Sequence, residues 1–436
     1  MEILERFLSY AERKGIKKAE IFYQEIEKEH LSISKGEVEN FQSAKETGVG
    51  IRIIKNNKQG FAYTNNLEKI EEIFEKALNS AEVMPSDENW VLSENFQGKD
   101  LKEYPEDPSI TKKIEALKET EKKIFSKDSR IKSVRNVVWE VYRGRNYIVN
   151  TLGTNLEYNY QYQYVYADIG VSDGKEDRGA WEFKSGKTWY DLDFEDLVDK
   201  VTWKALSLLG AKPKPSQRTI VILPPSQAQE LLEVFSQAFS SEMVQKGKSI
   251  LKGLMGEKVA SEKLTIIEDP TYEKAFIRRN FDDEGVRTKE KHLIREGYLE
   301  NFLYDLYTAK KEGKSSTGNG VRDSFKGLPK VGVFNLYIKP GERTEEELIK
   351  STKNGFYVFS LMGLHLVDPI SGDFSLGAEG LWIRDGELAE PVCEVTISGN
   401  LKDLLKSIAD VGKEIKFDNI IVSPSLKLED IMIAGK

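Results

Sequence analysis

The sequence predicts an α+β protein in two parts: an N-terminal α/β domain with an antiparallel sheet (residues 1–212) and a β-rich, barrel-like C-terminal domain (213–436). Three observations carry this. At 436 residues the chain exceeds one ordinary core, since a domain usually takes roughly 100–200 residues. The first half interleaves helical periods with alternating strand segments, whereas the second is mostly short strands with Gly-rich turns. Between them, Ala211-Lys212-Pro213-Lys214-Pro215-Ser216 resists both helix and central strand, because it combines two prolines with two cations.

Leu4, Phe7, Leu8 and Ala11 recur at helical spacing near the start, with acids between them, which predicts an amphipathic helix and not a signal peptide. Residues 20–27, 30–34, 48–54 and 60–63 alternate as strands, with Lys-Gly and Asn-Asn turn signals marking antiparallel hairpins. A helix with Ile70, Ile73, Phe74 and Ala77 follows, then a polar stretch over 84–102 and a helix over 110–125. Residues 137–142, 146–150 and 158–169 form a Tyr- and Val-rich meander, closed by a helix over 194–209. Past the linker, the apolar strand Thr219–Leu223 runs through Pro224-Pro225 into a helix. There Ser226 and Gln229 read as a capping box, and Ala228, Leu231, Leu232, Phe235, Ala238 and Phe239 form one stripe. Further helices are predicted over 345–353 and 401–411.

Charged residues make up 31% and hydrophobic residues 39%, a soluble balance whose Lys and Glu surplus resembles thermophilic surfaces. The formal net charge of −8 argues against broad contact with nucleic acid, which needs a basic field. A single cysteine, Cys393, rules out an intrachain disulfide and fits a reducing compartment. No stretch approaches the ~20 apolar residues that span a bilayer. The expected setting is the cytoplasm, without membrane or direct nucleic-acid partners.

Only three histidines exist, His30, His292 and His365, and none has the i, i+4 helical spacing of zinc ligands or an adjacent Cys. His365 sits among glycines in Met362-Gly363-Leu364-His365. Period-2 alternation places Cys393 on one strand face with Val395 and Ile397, the setting of a buried structural thiol, and Glu394 beside it opposes thiolate formation. Two Gly-rich stretches, 316–322 and 371–380, fit neither a P-loop nor a dinucleotide fingerprint. Most such glycines serve turns and close backbone approach. Exposed amides at Gly318, Asn319 and Gly320 with Arg322 could alternatively hold a peptide carboxylate or carbonyl, with Gly363 and His365 as further candidate peptide contacts.

Over nearly its whole length the chain resembles the TldD/PmbA family, specifically its TldE (PmbA) branch. The matching stretches are 47–62 (TGVGIRIIKNNKQGFA), 282–288 (DDEGVRT), 316–322 (STGNGVR), 355–363 (GFYVFSLMG), 368–382 (DPISGDFSLGAEGLW) and 395–401 (VTISGNL). The resemblance implies an N-terminal α/β domain, a β-rich C-terminal domain and association of TldD-type with TldE-type subunits into a metallopeptidase; members are often labelled modulators of DNA gyrase. It also implies a zinc-binding HExxxH motif in the TldD branch, on the helix after the linker strand, with a cysteine near the C-terminus. Here the corresponding stretch reads Leu232-Glu233-Val234-Phe235-Ser236-Gln237, so both histidines are replaced and only the acid Glu233 remains. Positions five apart also face ~140° from each other on a regular helix. Phe417–Val422 offers no thiol, and Cys393 lies too early.

The resulting expectation is a chain with no catalytic set and no metal of its own: a zinc-free TldE-like subunit of a TldD/TldE peptidase, with zinc in a TldD-type partner, a homodimer when alone, and peptide or unfolded protein as substrate. Two alternatives stand beside it. One is a free-standing binding or regulatory protein of the gyrase-modulator type; the other is a self-sufficient metallopeptidase using unrecognised ligands such as His365 with Asp368 or Asp373.

Overall fold

The computed structural model describes residues 2–435. Helix α1 (Glu2–Arg13) buries Leu4, Phe7 and Ala11. Strands β1 (Ala19–Ser34), β2 (Glu37–Lys55) and β3 (Lys58–Thr64) form two hairpins. Both residues of each turn, Lys35-Gly36 and Asn56-Asn57, lie at positive φ, the mirror-image turn that matches strand twist. Then come α2 (Ile70–Val83), β4 (Gln97–Asp100), α3 (Ile110–Lys127), β5 (Ile131–Asn150), β6 (Asn155–Ser172), β7 (Asp177–Gly186) and α4 (Phe194–Ser207). All seven strands form one sheet, ordered β3-β2-β1-β5-β6, with β4 and β7 both on β6. One face packs against α3 and α4 through Leu117, Ile124, Leu197 and Val201. The opposite face carries a run of tyrosines, among them the stacked Tyr142 and Tyr162, whose ring centroids are 4.9 Å apart.

The second half contains β8 (Gln217–Leu223), α5 (Pro225–Ser236), α6 (Ser241–Gln245), β9 (Ile266–Glu268), β10 (Lys291–Arg295), β11 (Tyr298–Leu299) and α7 (Leu306–Lys311). After these come β12 (Gly320–Val321), β13 (Lys330–Val331), β14 (Leu336–Ile338), α8 (Glu345–Lys350), β15 (Asn354–Met362), β16 (Asp373–Arg384) and β17 (Glu387–Asn400). The chain ends with α9 (Leu401–Lys406), β18 (Ile408–Val411), β19 (Ile421–Val422) and β20 (Leu426–Ala434). Strands β17, β16, β15, β8 and β20 pair in sequence, and β20 pairs back with β17, closing a five-stranded ring. The α+β class and the barrel-like second half are therefore as the sequence predicts. Helix α5 lays Ala228, Leu231, Leu232 and Phe235 into the core beside this ring. No described helix is long and apolar enough to cross a membrane.

Several local expectations differ from the structure. The segments 20–27 and 30–34 are one strand, as are 137–142 and 146–150. β1 lies between β2 and β5, so Lys28 and Glu29 find backbone partners on both sides whatever their side chains prefer. The expected helix over 401–411 ends at Lys406, because Ile408–Val411 is captured as a strand by β20. Strand β7 was not anticipated. The capping box at Ser226 is absent: Pro225 is the first helical residue, Pro224 takes the cap position, and the Ser226 hydroxyl donates to Gln227 Oε1 at 2.8 Å.

Candidate functional site: the cleft beside helix α5

Helix α5 has two faces, and they part the three positions of the expected motif. Leu232 is 4% exposed and lies in the apolar core, whereas Glu233 and Gln237 are exposed. After Ser236 the helix tightens into a 3₁₀ turn over Gln237–Phe239, so position 237 leaves the regular α-helical path. The polar face of α5, carrying Gln229, Glu230 and Glu233, forms one wall of a cavity of about 270 Å³. The edge strand β7 gives Trp181, Glu182 and Phe183, α4 gives Lys204, and β15 and β16 give Phe359, Ser360 and Glu379. The cavity thus joins the two halves of the molecule.

Its electrostatics are uneven. Lys204 donates to Glu182 at 2.5 Å, and Lys184 approaches the same carboxylate at 3.3 Å. Among the described residues Glu379 accepts only from the Ser360 hydroxyl, at 3.0 Å. Glu230 Oε2 is buried with no hydrogen-bond partner. Burial pushes Glu230 up to about 7, against the pull of Lys204 and with repulsion from Glu233. The lining residues include no histidine or cysteine; their side chains can bind, accept hydrogen bonds, hold a proton at Glu230, and set the Ser360 hydroxyl against the Glu379 carboxylate.

In the Gly318–Arg322 loop the groups named as candidate peptide contacts are engaged within the chain. Asn319 is fully buried, donating to the Gly332 carbonyl at 2.8 Å, and Gly320 N–H donates to Asp282 Oδ2 at 2.8 Å. A Cβ on Gly318 would lie 2.5 Å from the Arg287 carbonyl, and one on Gly320 would lie 2.7 Å from Glu284. Arg322, its side chain 1% exposed, pairs with Glu20 of β1. Arg52 of β2 joins the same carboxylate at 3.0 Å and reaches Glu284 at 3.3 Å. These glycines and Arg322 therefore build a buried ionic contact between the two halves. Gly48 and Gly50 belong to it as well, since a Cβ on either would lie 2.3 Å from Phe325.

Gly363, at φ 89°, starts an exposed turn that carries His365. The carboxylates proposed to join His365 are already engaged: Asp368 accepts from Ile370 N–H at 2.8 Å and Asp373 from Asn400 at 2.8 Å. Cys393 is buried and unpaired. Its predicted alternation is corrected, because a bulge with Glu394 at φ 51° puts Val392, instead of Cys393, into the core with Val395 and Ile397.

Comparison with known sequences decides the family. Its three domain profiles, described as PmbA/TldA metallopeptidase domain 1, central domain and C-terminal domain, match residues 19–81, 103–209 and 216–435. The chain belongs to the PmbA/TldD metallopeptidase family. It is 30% identical over 392 residues to a metalloprotease of Methanothermobacter thermautotrophicus, covering 87% of this chain and 85% of that one. It is 28% identical to the metalloprotease PmbA of Escherichia coli O157:H7, covering 93% and 90%. Among solved structures it matches a Thermotoga maritima protein (TM-score 0.88, 32% identity, 99% of both chains). It also matches TldE from Thermococcus kodakarensis (TM-score 0.87, 27% identity, 99% and 100%).

A metallopeptidase family raises the question of whether these residues fit a zinc ion. They do not. Zinc needs at least three N, S or O donors converging at about 2.0–2.3 Å. Leu232 offers carbon and points into the core, Gln237 is a poor ligand beyond the end of α5, and Glu233 stands alone of the three in the cavity wall. Among the described residues no three His, Cys, Asp or Glu side chains are grouped as metal ligands. The buried ionic contact and the β7 wall of the cavity were both missed from sequence. The alternating glycines of 48–50 and the buried cations Arg52, on β2, and Arg322, just after β12, were the available signals.

Proposed function

We propose that this chain is the zinc-free, TldE-like subunit of a TldD/TldE-type metallopeptidase, holding an unfolded peptide in the cleft beside α5 while a TldD-type partner supplies the metal. The observation that carries this is the division of α5: the position that would bear a ligand histidine holds Leu232 in the apolar core, while Glu233 stays in the wall of an open cavity. The family membership and the match to TldE support the same reading. Alone, the chain associates with itself as a dimer through its β-rich half.

The test is to assay unfolded peptides with this chain, with a TldD-type chain from the same cell, and with both. Cleavage is expected only in the mixture, abolished by a chelator, and tolerant of Glu233→Gln in this chain. Metal analysis of this chain alone should give well under one zinc per chain. Chelator-sensitive cleavage by this chain alone would replace the proposal with a self-sufficient enzyme. No gain on mixing would favour a free-standing binding protein.

A further inference from the structure

We infer that the cleft beside α5 is a subsite for a positively charged group on a polypeptide, a basic side chain or a terminal ammonium, held by carboxylates without ion-pair partners below an aromatic rim. The inference rests on the proposal that the cleft receives peptide, and adds which chemistry it selects.

The lining carries Glu182, Glu230, Glu233 and Glu379 against the single cation Lys204, a formal charge of −3 from four acids and one base. Lys204 makes its ion pair with Glu182, where Lys184 also points, and acts on Glu230 only from a distance. Glu230, Glu233 and Glu379 form no ion pair among the described residues, and the inner oxygen of Glu230 lacks any hydrogen-bond partner. A shielded carboxylate oxygen without a donor is costly, and an arriving N–H⁺ group would remove that cost.

The walls fit the same guest. Trp181 and Phe183 of β7 and Phe359 of β15 are among the lining residues; Trp181 and Phe183 stand on the sheet face opposite Glu182, at the rim of the cavity, and Trp181 is 54% exposed. A cation over an aromatic face is attracted by the ring quadrupole, more strongly as water is excluded. A second, more open cavity of about 420 Å³ adjoins on the outer face of the sheet, lined by Tyr164, Tyr166, Asp168, Trp181 and Phe183. Because the two cavities share Trp181 and Phe183, an extended chain can seat its cation against the carboxylates and an apolar neighbour against the tyrosines.

The experiment is calorimetric titration of the isolated full chain with unstructured peptides of one sequence: one acetylated with a central lysine, one acetylated with norleucine in its place, and one with norleucine and a free amino terminus. The lysine peptide or the free-amine peptide should bind about tenfold more tightly than the neutral one, and which of them does so identifies the source of the charge. Glu230→Gln/Glu233→Gln should erase that preference while leaving neutral-peptide affinity and the melting temperature in place; Trp181→Ala should weaken it. Equal affinity for all three peptides, or a preference that survives the double variant, overturns the charge inference and leaves the peptide-binding proposal standing. No binding of any peptide overturns both.

Discussion

Truncating Leu232 to alanine tests the central structural claim about α5. The side chain is 4% exposed and packs with Ala228 and Phe235 of its own helix, Ile266 of β9, Ile338 of β14, Leu404 of α9 and Leu426 of β20. A void of about 20 Å³ already lies among these groups. Besides α5 these residues come from four segments, three of them strands, so they collapse poorly into added space. Leu→Ala changes in such cores cost about 2.7–5.0 kcal/mol, the transfer cost plus ~24 cal/mol for each Å³ of cavity. The poorly collapsing site places Leu232→Ala at about 3–5 kcal/mol. At ~2–4 °C per kcal/mol for a unit of this size, the melting temperature should fall by about 10 °C. Urea unfolding followed by circular dichroism, with calorimetry alongside, measures both, and exposed Glu233→Ala should stay within about 0.5 kcal/mol. A loss below about 1 kcal/mol for Leu232→Ala would mean that residue 232 faces an open cleft, and the argument that this position cannot carry a metal ligand would fail.

Arg322→Met should destabilise by about 3 kcal/mol, the low end for breaking a buried pair, since Glu20 keeps Arg52 at 3.0 Å; the same unfolding assay reads it, and an unchanged or raised stability would refute it. Glu140 gives a pH signature. Burial would raise its pKa, but hydrogen bonds from Tyr164, His30, Lys28 and Tyr142 outweigh that and hold it at about 2, against an ordinary 4.5. A depressed carboxylate adds stability above its unfolded value and loses it as pH falls through the folded one. Glu140→Gln should therefore lower the melting temperature at neutral pH and flatten its decline between pH 4.5 and 2; parallel curves would refute the assignment.

What the sequence made legible follows from how local each cause is. The Lys35-Gly36 and Asn56-Asn57 turns were readable because positive φ is a demand on the residues themselves. The α5 stripe was readable because helical period alone sorts Leu232 from Glu233. The pairing of Arg322 with Glu20 was not legible because the two lie 302 residues apart, a distance no local pattern reports. Strand β7 went unseen because its alternation is inverted: the charged Glu182 and Lys184 are buried while Trp181 is exposed. The cavity draws its walls from α4, α5, β7, β15 and β16, so no single motif announces it.

The contact that binds Glu20 and Arg52 to Glu284 and Arg322 also sets an order of events. On a nascent chain the first sheet is complete at Gly186, more than a hundred residues before Arg322 is made. Until then Arg52 can offset Glu20 only in part, and the bare backbone at Gly48 and Gly50 waits for Phe325. Such long closure comes late, because distant contacts repay chain entropy only once both ends are in place. The half made first is thus left incomplete on the face that the second half will cover, and the linker that divides the chain in sequence does not divide it in stability.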